Sequence, residues 1–452
     1  MSASSRPDIR LTGRFEPADE LTYRHLPFQV PEGIRQLHVS VTYNARIGSN
    51  PTLRGGNTLD IGLFDARGAE SGGDGFRGWS GSEKTEITID RDWATPPYRA
   101  GAPQSGEWLL LLGAYKVAPE GLDYRAGIWF DPGLEPEPVD AVSISDTVVG
   151  SRTSALEPGW VRGDLHCHST HSDGDSPPEA LLAKAESLGF DFLGITDHNA
   201  PPFAGHPKNG GPLLIPGTEV TTYGGHWNVW GGRRWYDFRE PTRDAMAREM
   251  ALARQTAGLV SVNHPRPMGP DWEYGLDLPF QTIEVWNGPW LAFNAISLVV
   301  WDDLLQAGRR VAAIGGSDTH QLKGENEGFL PRPKLGEPTV WVKLDGPLTV
   351  DSVLDGLRRG RSFLSESPSG PQLILDTNGP GELRLHVGGA NGDTLMLIGG
   401  SGLLESQVID RDDWSMTLPV PASEPYVRAQ IVDQALNMKA LSNPIWRDPA
   451  GE

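Results

Sequence analysis

Among 452 residues there is a single cysteine, Cys167. The chain therefore makes no disulfide with itself, and a metal site built on several thiolates is excluded. No apolar run approaches the roughly 20 residues of a membrane span. The opening stretch MSASSRPDIRLTGRFEP lacks the apolar core of a signal peptide. Together these absences give the expectation of a cytoplasmic protein. A Lys/Arg-rich run is also missing, and 39 basic residues stand against 59 acidic ones, a net charge of −20. Such a surface repels nucleic-acid polymer unless a basic patch compensates. A small anionic substrate would need local positive charge, most cheaply supplied by metal ions.

What is present is turn-rich: 55 glycines and 38 prolines argue against a mainly helical protein, and the length calls for two or three domains. The first 130 residues alternate short apolar runs with turns (QLHVSVTYN, TLDIGLFD, EWLLLLGAY), the rhythm of a β-sandwich or jelly roll. FDPGLEPEPVD then reads as a linker, so residues 1–140 are expected to fold as their own unit. From about Gly370 the strand rhythm returns, which makes 369–452 a small C-terminal β-sandwich.

Between them, over 158–368, helical and strand-like segments alternate. SPPEALLAKAESLGF carries Ser176 as N-cap, Pro177 at the first helical position and Glu179 behind them, with Gly189 as the stop. PTRDAMAREMALARQTAG, AFNAISLVVWDDLLQAGR and TVDSVLDGLRRGR are also helical in period. Seven short strand runs separate them: VRGDLHCH, DFLGITDHN, LLIPGTEV, HWNVWGG, GLVSVNHP, TIEVWNG and VAAIGGSDTH. This alternation predicts a closed barrel of parallel strands.

RGDLHCHSTHSDGDSP places three histidines and three aspartates between Asp164 and Asp175. Such a stretch is either a polar loop or half of a metal site. Each strand run carries a binding or protonating residue at one end: His166 and His168, Asp197 and His198, Glu219, His226 (which opens its run), His264, Asn287, then Asp318 and His320. In a parallel barrel the C-terminal strand ends share one face, so these residues would form a ring. Imidazoles and carboxylates without thiolates suit zinc, manganese or iron, and several carboxylates favour more than one ion. Cys167 alternates away from its neighbouring histidines and reads as packing rather than a nucleophile. His25, His38 and His386 lie in the β-rich flanks, His206 in a loop and His171 in a turn, and none is taken as a ligand.

The motifs HCHSTHSDG, ITDHN, PGTEV, NHP and GGSDTH, in that order, resemble the polymerase and histidinol phosphatase (PHP) superfamily of metallohydrolases. GGSDTH and EVTTYGGHWNVWG look most like its branch containing carbamate hydrolases and phosphoesterases. The resemblance spans about Pro158 to Pro368. It implies a multidomain α/β plus β protein with a distorted (β/α)7 barrel, flanked by N-terminal and C-terminal β-sandwiches and holding two or three divalent ions. By position His166, His168 and Asp318 would bind the first ion, and Asp173 and His198 the second. Glu219 would bridge, and His264 and His320 would complete the second or a third. Asp173 stands where several members have histidine, which favours two metals. The role of His226 stays open.

The implied chemistry is hydrolysis of a small phosphate mono- or diester by a metal-bridging hydroxide, the ions also neutralising transition-state charge. His226 or His320 would protonate the leaving group, and Arg266, two residues past His264, is the candidate phosphate clamp. Arg332 and Lys334 are weaker candidates, while Trp286 and Trp290 would wall a pocket or pack the core. A carbamate, amide or carboxyl-ester hydrolase needs the same ions without the clamp. The third alternative is a non-catalytic carbohydrate- or partner-binding protein.

Overall fold

The computed structural model describes residues 6–447 except 50–52, 137–154, 203–210, 233, 257, 268–269, 324–331, 380 and 420–422. His206 and the end of the linker stretch lie outside the described residues. Eight strands come first: β1 (Ile9–Phe15), β2 (Tyr23–Val30), β3 (Gln36–Tyr43), β4 (Thr58–Phe64), β5 (Phe76–Gly81), β6 (Glu86–Asp90), β7 (Gly106–Lys116) and β8 (Leu122–Phe130). They form two four-stranded sheets, β1-β8-β3-β6 and β2-β7-β4-β5, around a core that includes Phe15, Val39, Ile61, Leu110 and Ile128.

TLDIGLF, the sequence of β4, is buried along its whole length because both of its faces are covered. Leu59, Ile61 and Leu63 enter the sandwich core, whereas Phe64 joins Phe76 and Trp79 in a cluster with Trp235 and Phe238 of the middle segment. Strand alternation thus turns Asp60, Gly62 and Phe64 toward the neighbouring unit.

The middle segment contains β9 (Trp160–Asp164), α1 (Pro178–Ser187), β10 (Phe192–Ile195), β11 (Leu213–Thr222), β12 (Gly225–Trp230), α2 (Arg243–Gln255), β13 (Leu259–Val262), β14 (Thr282–Asn287), α3 (Asn294–Gln306) and β15 (Ala312–Gly316). The strands lie side by side in chain order, β9 to β15. One feature corrects the expectation of parallel strands: β12 is antiparallel to both β11 and β13. Only two residues, Tyr223 and Gly224, separate β11 from β12, a hairpin length that cannot return the chain for a parallel pairing. Within this segment the described helices follow β9, β12 and β14 rather than every strand. α1 is capped one residue later than expected, at Pro177, while Ser176 Oγ donates to Asp175 Oδ1. Gly189, in the left-handed region at φ 69°, ends the helix as its position implied.

β16 (Thr339–Lys343), α4 (Val350–Arg358) and β17 (Ser362–Ser365) lead into β18 (Gln372–Thr377), β19 (Glu382–Gly388), β20 (Thr394–Gly399), β21 (Gly402–Val408), β22 (Asp413–Pro419), β23 (Tyr426–Val432), β24 (Met438–Ser442) and β25 (Ile445–Trp446). β16 pairs with the outer edge of β9, and β17 with β24, so one sheet runs from the middle segment into the C-terminal strands. Those strands pack over β18-β19-β22 around Trp341, Phe363, Leu385 and Ile431. No described helix is long and apolar enough to cross a membrane.

The Tyr223 side chain reaches the amino-terminal sheet, where its ring stacks on Tyr23 at 4.8 Å and its hydroxyl meets β7 at Gly113. A methyl group at Gly113 would overlap that hydroxyl and lie 2.6 Å from the Tyr23 ring. Gly113→Ala should therefore cost about 1–3 kcal/mol through overpacking, read as a lower urea midpoint. An unchanged midpoint would show that the two units do not depend on this contact.

Candidate metal centre

Asp164, at the end of β9, is fully buried and accepts backbone N–H groups from His166 (3.0 Å), Ser317 (3.1 Å) and Gly336 (2.8 Å). This ties the first strand's extension to the last. Asp318 N–H then donates to His166 O (2.7 Å) and His168 N–H to Thr319 O (2.9 Å), so the two edges of the seven-strand run meet where the histidines are. Because β12 runs backwards, its beginning lies at that same end. His226 lies near the start of its strand for that reason, opposite Thr221 of β11.

Three donor groups result, each with ligand atoms within 4.8 Å of one another: His166, His168 and Glu219; His168, Asp173, His198 and His320; and His198, Glu219 and His226. Glu219 belongs to two of them, His168 to two, and His198 to two. Asp318 Oδ1 lies 3.0 Å from His168 Nε2 and 3.3 Å from His166 Nε2. His264 Nε2 lies 3.4 Å from Glu219 Oε1. The expected ligands are thus brought together, Asp318 and His264 at the edge of the groups, and His226 joins them. His171, His25, His38 and His386 are in none of these groups. Cys167 packs with Leu181, Leu193 and Leu214, and burial pushes its thiol well up, which removes it as a nucleophile.

Several residues hold the donors without belonging to the three donor groups. Glu284, in the middle of β14, is 1% exposed and reaches His166 Nδ1 (2.9 Å), His264 N–H (3.0 Å) and Asn287 Nδ2 (3.0 Å). A carboxylate on the far ring nitrogen fixes the tautomer that offers Nε2 to an ion. The only sign of it in TIEVWN is an acid on the alternation of an otherwise apolar strand. Asn263 donates to Glu219 Oε1 (2.8 Å), and Asn287 to Asp318 Oδ2 (3.2 Å). Asp197 holds the first loop by accepting from Ser169 N–H, Ser169 Oγ and Ser172 Oγ, each at 2.7 Å. Trp286 and Trp290 meet edge to face at 5.1 Å against the core.

The electrostatics follow from crowding. Burial raises the cost of the Glu219 charge, but His226, His166 and His198 outweigh it and hold the carboxyl well below its ordinary range. Burial, then His320 and His198, drives His168 down to about 4, a neutral imidazole. Burial opposes charge on His320 as well, yet Asp173 and Asp318 prevail and push it up to about 10. His264 and Asp318 sit in the left-handed backbone region, at φ 28° and 53°, and non-glycine residues are held there only where the surroundings compel it. Two buried donor atoms, His166 Nε2 and Glu219 Oε2, make no hydrogen bond, a costly state that a cation between them relieves. By donor type, position and these two atoms, the residues fit divalent ions.

Residues 164–262 match the PHP domain family. That match takes in His166, His168, Asp173, His198, Glu219 and His226 and supports a metal-dependent hydrolase. Over 65 residues it is 43% identical to the 5'-3' exoribonuclease Rnm of Escherichia coli (strain K12), a stretch that is 13% of this chain and 22% of that protein. The PHP-containing chain therefore spans about a fifth of the length of that relative. A solved two-domain protein from Bacteroides vulgatus, containing a predicted PHP-like metal-dependent phosphoesterase, aligns over 64% of this chain and 95% of its own at a TM-score of 0.37 and 16% identity.

If Glu219 is shared between ions, Glu219→Gln should lower bound metal sharply, and Glu284→Ala should weaken metal affinity by about 10–100-fold through loss of the histidine's support. Cys167→Ala should leave metal content unchanged. Elemental analysis and metal titration test all three, and full occupancy in Glu219→Gln would reject the shared ligand.

Proposed function

We propose that this protein is a metal-dependent phosphoesterase acting on a small phosphate mono- or diester. The observation that carries the reading is one cavity of about 390 Å³ lined both by the donors His198, Glu219, His264 and Asp318 and by the guanidinium of Arg266. His166, His168 and Glu219 would hold one ion, and Asp173, His198 and His320 another, with Asp318, His264 and His226 beside them. Bound divalent ions supply Lewis acidity, an activated water and neutralisation of phosphoryl charge.

The chain's own residues do the rest. Arg266, which lines the cavity, donates through Nη2 to Asn287 Oδ1 (2.6 Å), and the same Asn287 donates to Asp318. A planar fork beside the ion donors suits the non-bridging oxygens of a phosphate. Of the two histidines weighed as proton donors, His320 stands with Asp173 among the ion donors, and burial moves His226 toward the neutral form of an ion ligand. Arg332 binds Gln321 Oε1 (2.7 Å), and neither it nor Lys334 lines the cavity. The local likeness to an exoribonuclease supports phosphoester chemistry, while the net charge of −20 argues against a polymer as the held substrate. In this reading residues 158–368 form a distorted (β/α)7-type catalytic unit, with 1–140 and 369–452 as its flanking sandwiches.

Chelation should abolish hydrolysis of phosphate esters, with manganese, zinc or iron restoring it; full activity in protein shown to be metal-free would end the proposal. Arg266→Ala should lower kcat/KM on phosphate esters on the order of 10²-fold with metal content unchanged. Arg266→Lys should recover little, since a point charge does not reproduce the fork. A silent Arg266→Ala on phosphate esters, with carboxyl esters or carbamates turned over, would move the chemistry to the carbamate branch.

A further inference from the structure

The cavity over the donor groups has two chemically different walls. One carries the ion donors and Arg266. The other comes from the amino-terminal sandwich, which contributes Tyr23, Asp60, Trp79, Glu83 and Tyr115, with Tyr223 of the β11–β12 hairpin between the two. None of this second wall lies within residues 164–262 except Tyr223.

Asp60 is the unusual member. It is 6% exposed, and its carboxyl accepts a hydrogen bond from the Tyr223 hydroxyl at 2.9 Å. Among the described residues no lysine, arginine or histidine forms an ion pair with it. Burial accordingly pushes it up to about 7, against a lowering by Tyr223 and His198. Tyrosine rings crowd around it: Tyr223 stacks on Tyr23 at 4.8 Å and on Tyr115 at 5.7 Å. The position is not an accident of packing, because alternation along β4 turns Asp60 away from the sandwich core toward this wall. A buried carboxyl without a counter-ion is costly, and an acid set among aromatic rings is the environment that takes up an organic ammonium group.

We propose that this wall is the recognition site for an ammonium group on the organic part of the substrate, with Asp60 as its counter-ion. The substrate class is then a phosphate ester of an amino alcohol. This rests on the phosphoesterase reading and adds the other end of the ligand. The phosphate faces the ion donors and Arg266, while the ammonium faces Asp60, so a zwitterion matches a cavity that is cationic at one end and acidic at the other. Asp60 sets specificity and takes part in no bond change.

The test uses the full chain, reconstituted with the metal that restores activity, and pairs of esters differing in one group. Ethanolamine and ethanol are compared, each as the phosphate monoester and as the methyl phosphodiester. Whichever type is turned over, the ethanolamine member should have the higher kcat/KM by about 10²-fold, the scale of a desolvated charge pair. Asp60→Asn keeps the size and the acceptor for Tyr223; it should erase that preference, chiefly by lowering kcat/KM for the ethanolamine member, with the metal content unchanged. Calorimetry with 2-aminoethylphosphonate against ethylphosphonate should show the same preference in binding and the same loss in Asp60→Asn. Equal handling of the two members by the unmodified protein overturns the inference, as does an Asp60→Asn variant that weakens both alike. If no phosphate ester is turned over and neither phosphonate binds, the phosphoesterase reading itself fails and this inference falls with it.

Discussion

Glu219 is the constraint around which the molecule is arranged. Its carboxylate is 1% exposed and lies within 3.5 Å of ring nitrogens of His166, His168, His198, His226 and His264. Five imidazoles around one buried acid form no stable polar network by themselves. Neutral rings leave lone pairs facing oxygen, and fully charged rings repel one another in a dry site. Divalent ions would resolve both difficulties, because the ring nitrogens and the carboxylate together are a donor set that suits a cation. The left-handed backbone at His264 and Asp318 fits the same account. Strain at two donors persists because the surrounding strands and Glu284 over-determine their positions.

That centre is assembled from far-apart sequence, and its rigidity comes from hydrogen bonds made by residues with no ligand role. Asp164 clamps three backbone N–H groups from three different segments, and Asp197 folds the loop that carries Asp173. From the other side, Lys84 of the amino-terminal sandwich donates to Thr170 O (2.7 Å) in that loop. The sandwich is therefore bound to the centre's own scaffold as well as to its cavity.

The strand runs, the four helices and the donor residues were legible because each leaves a local signature: apolar alternation or 3.6-residue period, closed by a polar end. The direction of β12 was not, since HWNVWGG reads equally well both ways and pairing direction is set by the length of the preceding connection. His226 at the beginning of its run was the sign of the reversal. Glu284 leaves no signature beyond an acid in an apolar strand, and Asn263, inside NHP, and Asn287, at a strand end, show nothing of their supporting role, because that role lies in what they touch across the sheet, which no spacing encodes. α1 starts one residue late because Ser176 spends its hydroxyl on Asp175 rather than on the helix. The division near residue 368 is crossed by a continuous sheet, through β17 and β24, and sequence rhythm cannot show such pairing.

Least legible was the participation of the first eight strands in the cavity. TLDIGLFD looks like a sandwich strand with one polar side, and it is one; only the docking of Tyr223 at Gly113 turns that side into a cavity wall. The consequence bears on what the site admits. Among the described residues the lining holds no arginine or lysine beyond Arg266, whereas Asp60, Glu83 and Asp173 all line it. A polyanion would have to bring a second and third phosphate past those carboxylates, on a chain with a net charge of −20. One phosphate can be neutralised by ions and Arg266 together, but its neighbours find only like charge. For the phosphate ester proposed as substrate, the electrostatics of the lining would favour a single anionic end. They leave the identity of its other end to the wall that the amino-terminal sandwich builds.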